Sequence, residues 1–152
     1  MTSPSLPYLD EHSAVIAASV DDVWVALVET LDRAFSHTAV ARYAWAVGCA
    51  DQAATGPRPL TEGSAMPGFR VASSTPKSEL ILAGKHRFSE YELIFRLDLI
   101  GPGQSRLRAE SRATFPGLAG SLYRMLAIGT GGHVIGVRRL LSRVATRAET
   151  PR

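Results

Sequence analysis

The chain has one cysteine, two lysines and no apolar run that approaches the roughly 20 residues needed to cross a bilayer. A single cysteine, Cys49, excludes an internal disulfide and suits a reducing compartment, where a buried, inert thiol is the simplest interpretation. The first ten residues lack a basic start followed by an apolar core, which is the pattern of a secretory signal. We therefore expect a cytoplasmic protein with no integral membrane segment.

Patterns for metal and phosphate binding are also missing. The four histidines are far apart, and none has the i, i+4 spacing of a helical metal pair: His12, His37, His86 and His133. The glycine-rich run at 129–132 lacks the Lys-Ser/Thr ending of a phosphate-binding loop. The sequence therefore predicts no metal and no cofactor.

The charge pattern argues against nucleic acid as a partner. The net charge is +3 with a pI near 9.4, but the arginines alternate with acidic residues along most of the chain. Only the C-terminal segment is locally basic, through Arg138, Arg139, Arg143 and Arg147, and cations near a helix C-terminus complement the helix dipole. We expect no nucleic-acid binding.

What the chain does have is enough apolar sequence for one compact domain. Of its 152 residues 45% are hydrophobic and 20% charged, as in ordinary globular proteins. The opening residues contain two prolines and little apolar pattern. We predict a flexible arm over residues 1–9 and a single domain over residues 10–148.

The first third predicts one strand and two helices. Alternating apolar residues predict a strand over residues 12–18, and Ser19 is a suitable N-cap for a helix that ends near Phe35. A second helix is predicted from Val40 to near Gly48. Six glycines and prolines between residues 51 and 68 predict a long loop with a short strand at its centre. The loop is either a lid or a connection with no function of its own.

The middle of the chain predicts an antiparallel meander. Strands are expected over residues 69–74, 80–86, 90–100 and 106–115, separated by turn residues. In the last two strands apolar side chains alternate with charged ones of opposite sign, which suits cross-strand pairing on a solvated outer face. The inner faces are predicted to form one apolar wall.

The last third carries an apolar stripe at helical spacing from Leu118 to Val144. This pattern predicts one long amphipathic helix that buries its face against the sheet. Trp24 and Trp45 belong to the earlier helical segments and are expected in the core rather than as ligand platforms.

The order of elements and two motifs resemble a known superfamily. A strand ending in small residues at 14–18 leads through Ser19 to the Val23-Trp24 pair of the first helix, and Pro116-Gly117 joins the last strand to the C-terminal helix. This resembles the START-related SRPBCC superfamily, in particular its polyketide cyclase/dehydrase-like members. Val20 stands where such members commonly have proline.

The resemblance implies an α+β helix-grip fold. A curved antiparallel sheet would wrap around a long C-terminal helix, with one or two short helices near the N-terminus. It also implies a mostly apolar cavity between sheet and helix, and it carries over no catalytic residue.

Side chains expected to line that cavity come from the inner face of the sheet and from the long helix: Tyr91, Leu93, Phe95, Ala109, Ser111, Tyr123, Met125, Gly129 and His133. His133 is open to three interpretations: a hydrogen-bonded core histidine, a ligand contact, or a general acid/base. His86 and Arg87 close a strand and stand either at the cavity mouth or on a water-facing rim.

Three functions stay open from the sequence. The first is binding of a small hydrophobic or amphipathic molecule, with His133 and Tyr91 fixing its orientation. The second is a polyketide cyclase/dehydratase-like enzyme with His133 or His86 as acid/base and an arginine polarising a carbonyl. The third is an interaction module with a collapsed cavity and a basic helix face. The expected partner is a small hydrophobic or aromatic ligand, with a homodimer as an open alternative.

Overall fold

The computed structural model describes residues 6–127 and 131–150, with only the backbone described for residues 126 and 127. The strands are β1 (Tyr8–Ile16), β2 (Ala65–Met66), β3 (Phe69–Thr75), β4 (Glu79–Lys85), β5 (Glu90–Gly101) and β6 (Gln104–Thr114). The helices are α1 (Val20–Phe35), α2 (Thr38–Ala46), α3 (Gly117–Ala127) and α4 (Gly132–Glu149).

The strands form one antiparallel sheet in the order β1-β6-β5-β4-β3-β2. The meander from β3 to β6 follows from the turn residues between strands, and β1 closes the far edge by pairing with β6. Helix α4 lies against β1 and α1. The predicted α+β class, a curved antiparallel sheet around a long C-terminal helix, is confirmed.

Apolar residues of the inner sheet face build the core together with α1 and α4. Phe95 and Leu107 are at most 1% exposed, and Leu27 of α1 and Val144 of α4 are fully buried against the same cluster. Leu99 continues the alternation of apolar residues along β5, but it is 67% exposed because the register of β5 and β6 shifts beside it. The core therefore ends before the β5–β6 hairpin does.

The start of α1 is set by its N-cap, as predicted. The Ser19 side chain accepts a hydrogen bond from the Asp22 amide at 3.2 Å, and Asp21 and Asp22 lie in the positive first turn. Strand β1 begins at Tyr8, four residues before the predicted strand, so two residues of the predicted arm belong to the sheet.

The single long helix expected from Leu118 to Val144 is instead two helices. Gly131 has φ of +75°, a left-handed conformation that an α-helix cannot contain, and α4 begins directly after it. Residues 128–130 between the helices lie outside the described part of the chain. The long C-terminal helix of this fold is therefore α4.

The apolar stripe is buried in α4 but not in α3. Leu118, Leu122 and Met125 are 87%, 63% and 69% exposed, so the expectation that they pack on the sheet is wrong. The reason is Gly120: a Cβ there would lie 2.6 Å from the Phe115 backbone carbon. Helix α3 rests on the chain through its glycine side, which turns the apolar side chains outward.

Trp45 is also outside the core. Its side chain is 73% exposed, whereas Trp24 is partly buried and packs on the main core. Of the residues in the short helix α2, only Ala44 is buried. Across the described residues, no helix combines the length and apolar character needed to cross a bilayer.

Candidate functional site

A cavity of about 460 Å³ lies between the inner face of the sheet and helices α2, α3 and α4. Its apolar wall includes Leu93 of the sheet, Val137 and Leu140 of α4, and Phe35 at the end of α1. The walls are mostly carbon, so an apolar molecule inside would gain free energy from burial.

The nine residues expected at the cavity divide into three groups. Tyr91, Leu93, Ser111, Tyr123 and His133 line it. Phe95 and Ala109 lie in the core, 1% and 0% exposed. Met125 is exposed on the outer side of α3, and Gly129 lies outside the described residues.

The cross-strand register explains why some of the predicted sheet residues line the cavity whereas others lie in the core. Leu93 pairs with Ser111 at the cavity, and the next inward pair along the sheet is Phe95 with Ala109. Core packing against α1 covers that second pair. Period-two alternation identifies the inner face but not the point along it where a helix stops covering it.

Ser111 places an unsatisfied hydroxyl in the cavity wall. The residue is 3% exposed, and its Oγ has no hydrogen-bond partner among the described residues. A buried hydroxyl without a partner is unfavourable by about 1–3 kcal/mol. A bound molecule that supplied an acceptor or donor would recover that free energy. Since Oγ is not bonded to His133, the two do not form a nucleophile–base pair.

The hydroxyl of Tyr91 is already engaged. It donates to the Gly68 carbonyl at 2.6 Å, and the Cys49 sulfur lies 3.8 Å away. Burial, followed by the neighbouring Cys49, raises the pKa of Tyr91, so the phenol stays protonated. Burial likewise raises the pKa of the Cys49 thiol, which favours its protonated form.

His86 is 8% exposed and lines the cavity. Its Nδ1 accepts a hydrogen bond from the Phe88 amide at 3.0 Å, so the proton of the neutral ring is on Nε2. Burial lowers the pKa of His86, which favours that neutral form. The neutral His86 side chain can therefore donate a hydrogen bond through Nε2. It is buried at the cavity and does not lie on a water-facing rim.

An aromatic cluster, defined by Tyr43, His86, Phe88, Tyr91 and Tyr123, lies beside the cavity. The Tyr123 ring stacks on Phe88 at 5.7 Å and meets the edge of His86 at 4.8 Å. The hydroxyls of Tyr123 and Tyr43 are hydrogen-bonded, and burial together with this contact raises the pKa of Tyr43. The cluster joins α2 and α3 to the sheet.

His133 is paired with a carboxylate that the sequence-based interpretation missed. Its Nε2 lies 3.3 Å from Asp10, whose other oxygen lies 3.3 Å from His12. Asp10 and His12 lie opposite Ser111 and Ala109 in the β1–β6 register, on the inner face. Extending the alternation of Ala14 and Ile16 backward by two steps would have revealed both.

Two exposed arginines also line the cavity. Arg139 and Arg143 of α4 line it and are exposed, and neither has a carboxylate partner within the described residues. In the same part of the chain, no group of three metal-binding side chains has a geometry that would hold an ion. The site is thus an apolar chamber with hydroxyl and imidazole donors and two exposed arginines in its lining.

Comparison with solved structures finds the same architecture in other proteins. CalU16 from Micromonospora echinospora is 18% identical with a TM-score of 0.50, covering 91% of this chain and 82% of its own. DynU16, from the dynemicin biosynthetic locus, is 18% identical with a TM-score of 0.56; the match covers 92% of this chain but 46% of DynU16.

A truncated norcoclaurine synthase from Thalictrum flavum matches over the full length of both chains, with a TM-score of 0.59 and 10% identity. No family model matches the chain, and no curated protein matches it in sequence. At these identities the likeness concerns the fold alone. The chain has the helix-grip fold.

Proposed function

We propose that the protein binds a small hydrophobic or amphipathic molecule in the cavity between the sheet and α4. The observation that carries this proposal is a mostly apolar chamber of about 460 Å³ with an unpartnered Ser111 hydroxyl in its wall. A volume of this size suits a small organic ligand. The five residues Tyr91, Leu93, Ser111, Tyr123 and His133 would contact it.

The polar atoms of the chamber favour a ligand that carries an oxygen acceptor. The Nε2–H of His86 and the hydroxyl of Ser111 are both available as donors, whereas the Tyr91 hydroxyl already donates to the Gly68 carbonyl. Apolar burial would supply most of the affinity, and these two donors would fix the orientation. A carbonyl or phenolic oxygen on an aromatic skeleton meets both requirements.

The first test is native mass spectrometry of freshly purified protein, followed by extraction of any bound molecule. The second uses 1-anilinonaphthalene-8-sulfonate as a fluorescent probe on two variants. Ala113→Phe places a ring in the cavity beside Tyr91, while Thr114→Phe places the same ring on the opposite face of the sheet.

We expect Ala113→Phe to lose the cavity-bound fluorescence and Thr114→Phe to keep it, with both variants folded by circular dichroism. Probe bound to the exposed side of α3 would not respond to either change. Equal fluorescence in both variants, together with a protein that carries no small molecule, would contradict the proposal.

A second candidate function is catalysis on a polyketide-like or aromatic substrate, and the Asp10–His133 pair favours it. Asp10 orients His133 through Nε2 and leaves Nδ1 available as a base at the cavity wall. His86, a neutral donor, would polarise a carbonyl rather than transfer its own proton. One structural neighbour is named as a synthase, which is compatible with this candidate.

The enzymatic candidate is tested with a poly-β-keto thioester as substrate. Cyclised products that disappear in His133→Gln and persist in His37→Gln, which changes an exposed histidine, would favour catalysis. Products identical to those of the spontaneous reaction would leave ligand binding as the function.

A further inference from the structure

The apolar side chains of α3 form a stripe that faces solvent. Leu118, Leu122 and Met125 are spaced by four and three residues and so lie on one face of the helix. They are between 63% and 87% exposed. Three large apolar side chains aligned on one exposed helix face are typical of a binding surface rather than of scattered surface residues.

The helix that carries the stripe also forms part of the wall of the proposed binding chamber. Tyr123, on the same helix, lines the cavity and contacts His86 and Phe88. Gly120 and Tyr123 form the inner side of α3, and the apolar stripe is its outer side. Whatever contacts the stripe therefore lies directly beside the cavity.

The helix that carries the stripe and its neighbour α2 contain basic residues but no acidic ones. From residue 111 to residue 148 the sequence contains six arginines and no aspartate or glutamate. Helix α2, which contacts α3 through the Tyr43 and Tyr123 hydroxyls, also lacks acidic residues and carries Arg42. Four of these arginines are exposed and have no carboxylate partner within the described residues: Arg124, Arg138, Arg139 and Arg143.

We propose that α3 docks the protein on an anionic lipid surface. Leu118, Leu122 and Met125 would enter the boundary between headgroups and acyl chains. Arg124 of the same helix and Arg42 of the adjoining α2 would lie among the lipid phosphates. An apolar stripe bordered by arginine is the pattern of a helix that lies in the plane of a membrane interface. Docking in this way brings the cavity wall that α3 forms close to the phase in which an apolar molecule dissolves.

The charges favour lipid over a second copy of the chain. A symmetric dimer through this face would bring Arg42 and Arg124 of two copies together, and neither α2 nor α3 carries an acidic residue to pair them. Like charges at an interface without partners oppose association. An anionic lipid surface supplies the missing counter-charge for each arginine.

The test is flotation of the protein with vesicles of phosphatidylcholine alone and of phosphatidylcholine mixed with phosphatidylglycerol. The variant Leu118→Ser/Leu122→Ser/Met125→Ser removes the stripe. The matched control Val15→Ser/Leu99→Ser/Ile100→Ser removes three exposed apolar side chains elsewhere on the sheet, between 39% and 67% exposed in the parent. Circular dichroism and Tm establish that both variants are folded.

The parent protein and the control are expected to float with the anionic vesicles and not with the neutral ones. The stripe variant is expected to bind about 100-fold more weakly, because three apolar side chains no longer enter the interface. Added salt should weaken binding of the parent through screening of the arginines.

Two results would overturn the proposal: a parent protein that stays unbound with both vesicle types, or a stripe variant that floats as well as the parent. Analytical ultracentrifugation without vesicles measures whether the protein self-associates. A parent dimer that becomes monomeric only in the stripe variant would identify the occupant as a second copy and overturn lipid docking. Vesicle binding is measured without a ligand in the cavity, so its failure is separate from a failure of the proposed binding function.

Discussion

The ring of Tyr91 occupies space that exists because residue 84 is glycine. The two residues are cross-strand partners on β5 and β4, and a Cβ built on Gly84 would lie 2.2 Å from Cε2 of Tyr91. The same Cβ would lie 2.3 Å from the Gly68 carbonyl oxygen, which accepts the Tyr91 hydrogen bond. The absence of a side chain at Gly84 therefore leaves room for the Tyr91 ring and for its hydrogen bond to the Gly68 carbonyl at the cavity.

Gly84→Ala is expected to destabilise the protein by about 1–3 kcal/mol, because the methyl group meets both an aromatic ring and a backbone oxygen. The matched control is Gly101→Ala, whose Cβ would be 3.8 Å from its nearest neighbour, Gln104 Oε1. Urea unfolding of both variants measures the difference. Equal stability of the two would contradict the packing described for Tyr91.

Ser111 and Ser105 lie on the same strand and are both buried, yet opposite effects are expected when each is replaced by alanine. Ser111→Ala removes a hydroxyl that has no partner in the described structure, so the unliganded protein should be unchanged or stabilised by up to about 1 kcal/mol. Ser105→Ala breaks a 2.8 Å bond to the Ala18 carbonyl and should destabilise by about 1 kcal/mol.

Thermal unfolding without ligand compares the two serine variants directly. The reverse order, with Ser111→Ala the less stable, would mean that the Ser111 hydroxyl has a partner after all. Weaker binding of an identified ligand by Ser111→Ala would add support for its place in the site.

His86 is expected to make the protein less stable in mild acid. Burial lowers its pKa in the folded state below the ordinary value of 6.5, so the unfolded chain binds a proton first as the pH falls. The stabilising effect of neutral His86 is present above about pH 6.5 and is lost progressively as the pH falls toward the folded-state pKa.

The pH effect is measured as the free energy of unfolding between pH 7 and pH 5 in the parent and in His86→Gln. The loss between these pH values should be smaller in His86→Gln than in the parent. His37→Gln, which changes an exposed ring, serves as the control and should follow the parent. Identical curves for parent and His86→Gln would contradict the buried environment of His86.

Asp10→Asn is expected to loosen the first turn of α4. Asp10 joins β1 to His133, so Asp10→Asn should lower the free energy of unfolding by about 0.5–1 kcal/mol. It should also increase hydrogen exchange at the Ile135 amide, which donates to the Gly131 carbonyl. Glu11→Gln is the matched control, because Glu11 pairs with Arg108 on the other face of β1. Exchange at Ile135 should not change in that variant.

Most secondary structure was predictable because local patterns set it. The Ser19 cap, the alternation in β5 and β6 and the turn residues between strands each depend on neighbours a few positions away. These elements in their order predicted the α+β helix-grip class, which the structure confirms. The inner face of the sheet followed from the same alternation.

The candidate site was predictable only in part, because a cavity depends on where packing stops. Tyr91, Leu93 and Ser111 share their alternation with Phe95 and Ala109, and nothing in that pattern separates cavity from core. The contribution of Asp10 was missed because the first strand was predicted to begin only at residue 12. That these side chains contact a ligand stays a prediction.

The sequence by itself determined the strands, the first helix and the apolar inner face, since each follows from hydrogen bonding and side-chain periodicity within a short segment. Only the tertiary structure decided that the C-terminal stripe divides at Gly131 and that α3 turns its apolar side outward. Helical periodicity records which side chains share a face, but only contacts such as that of Gly120 with Phe115 determine which way the face points.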